Sequence, residues 1–181
     1  TDEEDCSSLD TVHFTPFADL DASDPLSMQD MNLRCFMNPK NRYPVSRYVD
    51  GYRWLREGAE QLVVFAAIAG VPPELVDADA LAAVDFKDEG ERKRFYDGIL
   101  DDKRMKERID STRAPGEGNL VPSCDVPDRG VAYPPRRIVE VARAFGERGI
   151  VQSICQDDFG PAMDVIVRAI GQTIGEACIL H

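Results

Sequence analysis

The run Gln61-Leu62-Val63-Val64-Phe65-Ala66-Ala67-Ile68-Ala69-Gly70 decides the fold of this chain. It is short, contains β-branched and aromatic residues, and is apolar on both faces. This pattern is typical of a strand that is buried in a parallel sheet between two layers of helices. The following Val71-Pro72-Pro73 ends the strand, because proline cannot donate to a strand ladder. The sequence therefore predicts a buried strand over residues 62–69.

Helical patterns and a second strand surround this run. A helix is predicted over residues 44–57, beginning at Pro44 and ending at Gly58. Another helix is predicted over 135–148, a short strand over 150–155 and a closing helix over 160–175. The closing helix carries an apolar stripe that is predicted to face the core, formed by Met163, Ile166, Val167, Ile170 and Ile174.

The alternation of helices and strands predicts an α/β fold with a Rossmann-like, doubly wound parallel sheet. Two parallel strands are too few for a stable sheet that is covered on both faces. The sequence therefore predicts that the amino-terminal strands of the sheet are missing from it. We interpret residues 1–181 as the carboxy-terminal part of a single domain, with irregular excursions at about 7–43 and 74–134.

Composition restricts the function. The hydrophobic fraction of 43% is that of a globular protein. The net charge of −12 argues against nucleic acid and anionic membrane surfaces as partners, because both require a basic face. A direct membrane span is not expected, because the longest apolar run, at 62–71, has about half of the ~20 residues that a spanning helix needs.

Five cysteines are scattered along the chain: Cys6, Cys35, Cys124, Cys155 and Cys178. Their spacing lacks a CxxC pair and the chain has only two histidines, which argues against a structural zinc site. Scattered cysteines suit disulfides in an oxidising compartment, and Cys6 and Cys35 would pin the irregular segment 7–43. The connectivity, a bridge between Cys155 and Cys178 included, stays open, as does a reduced cytosolic state.

Catalytic motifs are not found in the sequence. His13 lies in an irregular segment and His181 is the last residue, so neither is placed to act as a base. Asp157-Asp158 is best interpreted as a helix cap. Asp19, Asp21 and Ser23 are spaced as in a calcium loop but lack its glycine and glutamate, which favours an acidic loop. We therefore expect a protein that is not an enzyme.

The first residues, Thr1-Asp2-Glu3-Glu4-Asp5-Cys6, resemble the third metal-site motif of von Willebrand factor type A (vWA) domains, where a strand ends in Thr-Asp-Gly. Three further phrases, at 43–50, 64–72 and 153–156, resemble vWA-type lipoproteins and secreted proteins of predatory and soil bacteria. The chain begins at Thr1 without an initiator methionine, so we expect that an upstream segment has been removed or left out.

The resemblance implies a metal-ion-dependent adhesion site with Asp2 as a ligand of Mg²⁺ or Ca²⁺, directly or through water. The family's Asp-x-Ser-x-Ser loop and separate threonine are not in this sequence, and Glu3 stands where the family has glycine. The site would therefore be partial.

Two hypotheses follow. In the first, the chain belongs to an exported protein, located in the periplasm, on the outer surface or outside the cell, that binds a protein or glycan ligand through a divalent cation. A lipid on its amino end would anchor it. In the alternative, it is a structural or assembly subunit with a degenerate metal site, and a partner chain supplies the missing strands.

Overall fold

The computed structural model describes residue 1, residues 3–114 and residues 116–179, the last four without their side chains. It has a mixed α/β fold. The chain forms two compact units: one contains Thr1–Glu4, Val45–Lys106 and Pro122–His181, and the other contains Asp5–Pro44 and Glu107–Val121. Its elements are α1 (Arg34–Met37), α2 (Val45–Trp54), β1 (Phe65–Ala69), α3 (Ala78–Ala82), α4 (Glu89–Asp101), β2 (Cys124–Val126), β3 (Gly130–Ala132), α5 (Arg136–Ala144), β4 (Gly149–Ser153) and α6 (Gly160–Ile179).

The larger unit is built on a parallel pair of strands. β1 pairs with β4 in a register that runs from Phe65 opposite Gly149 to Ala69 opposite Ser153. The predicted order of helix, strand, helix, strand and helix is confirmed, with element ends shifted by a few residues. A doubly wound sheet is not seen among the described residues, where the parallel sheet has two strands.

The core lies on one face of this pair, beneath α5 and α4. Val139 and Ala142 of α5 are fully buried and belong to one cluster with Val151 of β4. Tyr96 and Ile99 of α4 complete the cluster from the side. Within the predicted excursion 74–134, the charged stretch 74–110 is expected from the sequence to be helical in part, with an apolar stripe of Phe95, Ile99 and Leu100, and α4 confirms that helix.

One glycine allows α5 to approach β4 closely. A Cβ at Gly149 would overlap the carbonyl oxygen of Ala142, so any other residue would push the end of α5 away from the strand. Gly70 has a similar role after β1, because its Cβ would lie 2.7 Å from the Cβ of Ala132 in β3.

The orientation predicted for α6 is wrong. Ala162 and Thr173 are buried, whereas the exposed fractions of Met163, Val167, Ile170 and Ile174 are 48%, 62%, 43% and 58%. The helix turns its smaller residues inward, and the two-stranded sheet beneath it is too narrow to cover the apolar stripe as well. We call these four exposed residues the α6 stripe.

The smaller unit consists mainly of 3-10 turns and the short helix α1. The disulfide Cys6–Cys35 pins it, which confirms the predicted role of these two cysteines. Its centre is Arg34, which is 1% exposed and donates hydrogen bonds to the carbonyls of His13 and Thr15, at 3.1 and 2.6 Å. This unit therefore buries a hydrogen-bonded guanidinium together with the apolar side chains of Leu26, Leu33 and Leu120.

Candidate functional site

The edge of β1 that faces away from β4 is the candidate site. In a parallel pair, successive residues of a strand direct their N–H and C=O groups to opposite sides. Ile154 donates to the carbonyl of Ala69 at 2.8 Å, so Ala69 and its alternate neighbours Ala67 and Phe65 face β4. The backbone groups of Ala66 and Ile68 consequently face the other edge.

This outer edge of β1 is only partly occupied. The carbonyl of Ile68 accepts a hydrogen bond of 2.6 Å from the amino group of Thr1. The backbone N–H and C=O of Ala66 have no partner among the residues that the structure describes, and Ala66 is exposed. Unpaired groups of this kind are a template for another strand.

The outer edge of β4 is closed by side chains instead. The hydroxyl of Tyr96 donates to the carbonyl of Gly149 at 2.9 Å, and Nε2 of Gln152 donates to the carbonyl of Val151 at 3.0 Å. Tyr96 is 1% exposed, and its burial raises the pKa of the phenol, so the hydroxyl keeps its proton. Two carbonyls on the outer edge of β4 are therefore already occupied, which disfavours strand addition on this side of the parallel pair and favours it beside β1.

The α6 stripe lies on the β1 side of the sheet. α6 contacts β4 and the 3-10 turn Glu60–Leu62 that precedes β1. Residues of α6 such as Val165, Arg168 and Gln172 line a cavity on the outer side of β4. At about 100° per residue, the stripe falls on the opposite side of the helix from these residues. The α6 stripe and the open edge of β1 therefore lie on the same side of the larger unit.

The acidic residues near the amino end serve separate purposes. Asp2, the predicted metal ligand, lies outside the described residues. Glu3 is exposed, while the carboxylate of Glu4 accepts from the backbone N–H of Arg137 at 2.7 Å and so caps the first turn of α5. Among the described residues there is no group of three or more histidine, cysteine, aspartate or glutamate side chains that could hold Mg²⁺ or Ca²⁺.

The segment 19–23, whose acidic residues are spaced as in a calcium loop, forms local turns. The carboxylate of Asp21 accepts from the backbone N–H and the hydroxyl of Ser23, at 2.8 and 2.7 Å. These hydrogen bonds lower the pKa of Asp21. Asp24 accepts from the N–H of Leu26 and caps the next 3-10 turn. The segment is an acidic loop whose carboxylates bind their own backbone.

Four of the predicted cysteines form two disulfides, Cys6–Cys35 and Cys124–Cys155. A bridge between Cys155 and Cys178 is thereby excluded, because Cys155 is paired with Cys124 at the start of the β2–β3 hairpin. The side chain of Cys178 lies outside the described part of the chain.

The structure also resolves the interpretation of Asp157-Asp158 as a helix cap. Asp158 accepts from the N–H of Gly160 at 2.8 Å and caps α6, whereas Asp157 pairs with Arg129 at 3.1 Å. Tyr52 of α2 packs against Phe65, and its neighbour Trp54 is 72% exposed.

Comparisons with known proteins do not identify a function for this chain. Neither a family model, a curated protein nor a solved structure matches it. In the described residues no helix has both the length and the apolar character needed to cross a bilayer. Sequence reasoning did not identify Ala66 and Ile68 as site residues, because backbone atoms form the edge and leave no side-chain signature.

Proposed function

We propose that this chain is a binding and assembly module of an exported protein, and that it extends its sheet with a strand from another polypeptide. The open edge of β1 carries the proposal. Strand addition to an exposed sheet edge gains its affinity from main-chain hydrogen bonds, and the backbone groups of Ala66 and Ile68 supply them.

The α6 stripe supports the same proposal. An exposed row of four large apolar side chains on one helix is a feature of interaction surfaces. Because it lies on the side of the open edge, residues that flank the added strand would cover it. The net charge of −12 disfavours a second copy of this chain and favours a partner with basic residues.

The disulfides support the exported location. Cys6–Cys35 and Cys124–Cys155 are placed one in each compact unit. Structural disulfides persist in oxidising compartments such as the periplasm and the extracellular space.

A donor-strand extension tests the proposal. Because the nitrogen of Thr1 already bonds the carbonyl of Ile68, a strand joined ahead of Thr1 would continue along β1. A short extension of alternating threonine and valine is compared with one in which prolines replace the valines. Each new backbone hydrogen bond contributes about 1 kcal/mol, so the threonine–valine extension should raise the free energy of unfolding by about 2 to 3 kcal/mol over its proline control.

Two proline variants of β1 supply the matched control. Ala66→Pro removes an N–H that faces the open edge, so it should leave the fold intact and abolish the gain from the extension. Ala67→Pro removes an N–H that faces β4 and should destabilise the chain by about 1 to 3 kcal/mol or more. A gain from the extension that survives in Ala66→Pro would contradict the proposed pairing.

The second candidate is metal-dependent binding of a protein or glycan ligand. It is supported by Thr1, which bonds Ile68 near the carboxyl end of β1, where open α/β sheets place their ligands. Asp2 follows directly in the sequence, and the resemblance to vWA domains implies that it is a metal ligand. Calorimetric titration with Mg²⁺ and Ca²⁺ should show binding that Asp2→Asn abolishes. Partner binding that persists in EDTA would favour strand addition alone.

A further inference from the structure

A cavity of about 770 Å³ lies on the outer side of β4, away from the open edge of β1. β4 forms its floor from Gly149 to Gln152, and α3, α4 and α6 form its walls. This volume is within the range of pockets that enclose small organic ligands. It shares no residue with the edge of β1 or with the α6 stripe.

The walls of the cavity are mainly apolar and partly aromatic. Phe86 and Phe95 lie on one side with their ring centroids 5.2 Å apart in an edge-to-face arrangement. Leu81 extends this wall from α3, and Val165 and Ala169 of α6 lie among the lining residues. A flat apolar group between these walls would be removed from water on both faces.

The amide nitrogens of two glutamines at the cavity are not offered to a ligand. Gln152, 3% exposed, uses its Nε2 to donate to the carbonyl of Val151 at 3.0 Å. Nε2 of Gln156 is buried where water does not reach it. Recognition in the cavity therefore rests on the apolar walls.

The charges around the cavity restrict the ligand. Three acidic residues line it, Asp77, Glu147 and Asp164, whereas Arg168 is the single basic residue among the described lining residues. An anionic ligand would be repelled by this excess of negative charge. The protein as a whole, at −12, adds to that repulsion.

We propose that this cavity binds a neutral small molecule with a flat apolar body. The apolar body lies against Phe86 and Phe95. This site is separate from the strand-binding edge and does not depend on it.

The test uses 6-propionyl-2-dimethylaminonaphthalene, a neutral and flat fluorophore with one carbonyl. Its emission should shift to shorter wavelength on titration with the full chain, and binding should saturate. The anionic fluorophore 8-anilinonaphthalene-1-sulfonate should bind at least about tenfold more weakly. No saturable binding of the neutral probe, or equal binding of the two probes, would overturn the proposal.

Three variants locate the probe. Ala169→Phe places a ring in the cavity opposite Phe86 and Phe95 and should weaken binding of the neutral probe strongly, whereas Ile170→Ser changes the α6 stripe and should leave binding unchanged. Ala169→Leu is a smaller change at the same wall that should weaken binding about five- to tenfold, and it keeps the test decisive if Ala169→Phe does not fold. Binding lost in Ile170→Ser but retained in Ala169→Leu would assign the probe to the helix surface and refute the inference.

Discussion

The disulfide Cys124–Cys155 is expected to supply a large share of the stability of the larger unit. Cys155 follows β4 and Cys124 begins β2, so the bond joins the hairpin to the end of the sheet. We consider the double variant in which both cysteines are replaced by serine. It removes the covalent link and changes little in side-chain volume.

The magnitude follows from the length of chain that the bond closes. The two cysteines are separated by 31 residues in the sequence. Loop-closure entropy for this length corresponds to about 3.7 kcal/mol at room temperature. Domains are stable by about 5 to 15 kcal/mol in total, so the loss should lower the unfolding midpoint in urea markedly.

Urea titration followed by far-UV circular dichroism measures this loss. Five helices, α2 to α6, lie in the larger unit, so the helical signal reports mainly on that unit. The control is the double serine variant of Cys6 and Cys35, whose bond lies in the smaller unit. The account predicts a loss of about 3 to 4 kcal/mol in the first variant and little change of the helical transition in the control. A loss below about 1 kcal/mol in the first variant would refute the pairing or its structural role.

Three further predictions concern separate parts of the chain. Tyr96→Phe leaves the carbonyl of Gly149 without its donor and should cost about 1 to 3 kcal/mol in urea unfolding; a neutral effect would refute the capped edge of β4. The hydrogen bond from Arg104 lowers the pKa of Asp102 in the folded state, so its stabilisation is present above the unfolded pKa and is lost as pH falls through the folded value. Arg104→Met should therefore lose less stability than the wild type between about pH 5 and about pH 3, and equal losses would count against the ion pair. Thiol alkylation in denaturant should label at most one cysteine without reduction and all five after reduction; two or more labels before reduction would contradict the disulfide assignment.

The sequence was sufficient to predict the elements that hold the larger unit together. β1 and β4 are short and apolar, α5 has a clear apolar face, and proline and glycine mark the ends of these elements. Their alternation implied parallel pairing, which the register of β1 and β4 confirms. Such patterns are local, so they can be seen without knowledge of the fold.

The orientation of α6 could not be predicted, for a physical reason. Periodicity identifies an apolar stripe on a helix but does not say whether anything covers it. With two strands beneath it, α6 buries Ala162 and Thr173 and leaves Val167 and Ile170 exposed. The same exposed residues that made the prediction wrong now support a binding surface.

The candidate site was harder to predict than the fold. The proposed binding edge of β1 is formed by backbone groups such as those of Ala66, whose side chain gives no signal in the sequence. The cavity beside β4 depends on residues from α3, α4, β4 and α6 that are distant in sequence. The pairing of Cys124 with Cys155 likewise requires the hairpin to lie beside the end of β4, which spacing alone does not indicate.

Amide hydrogen exchange along β1 tests the central claim most directly. In the chain as it stands, the amide of Ala66 should exchange rapidly, whereas those of Ala67 and Ala69, which face β4, should be protected. In the protein with the threonine–valine extension ahead of Thr1, the amide of Ala66 should become protected as well. Equal protection of Ala66 and Ala67 without the extension, or no slowing of Ala66 with it, would contradict the open strand edge on which the proposed function rests.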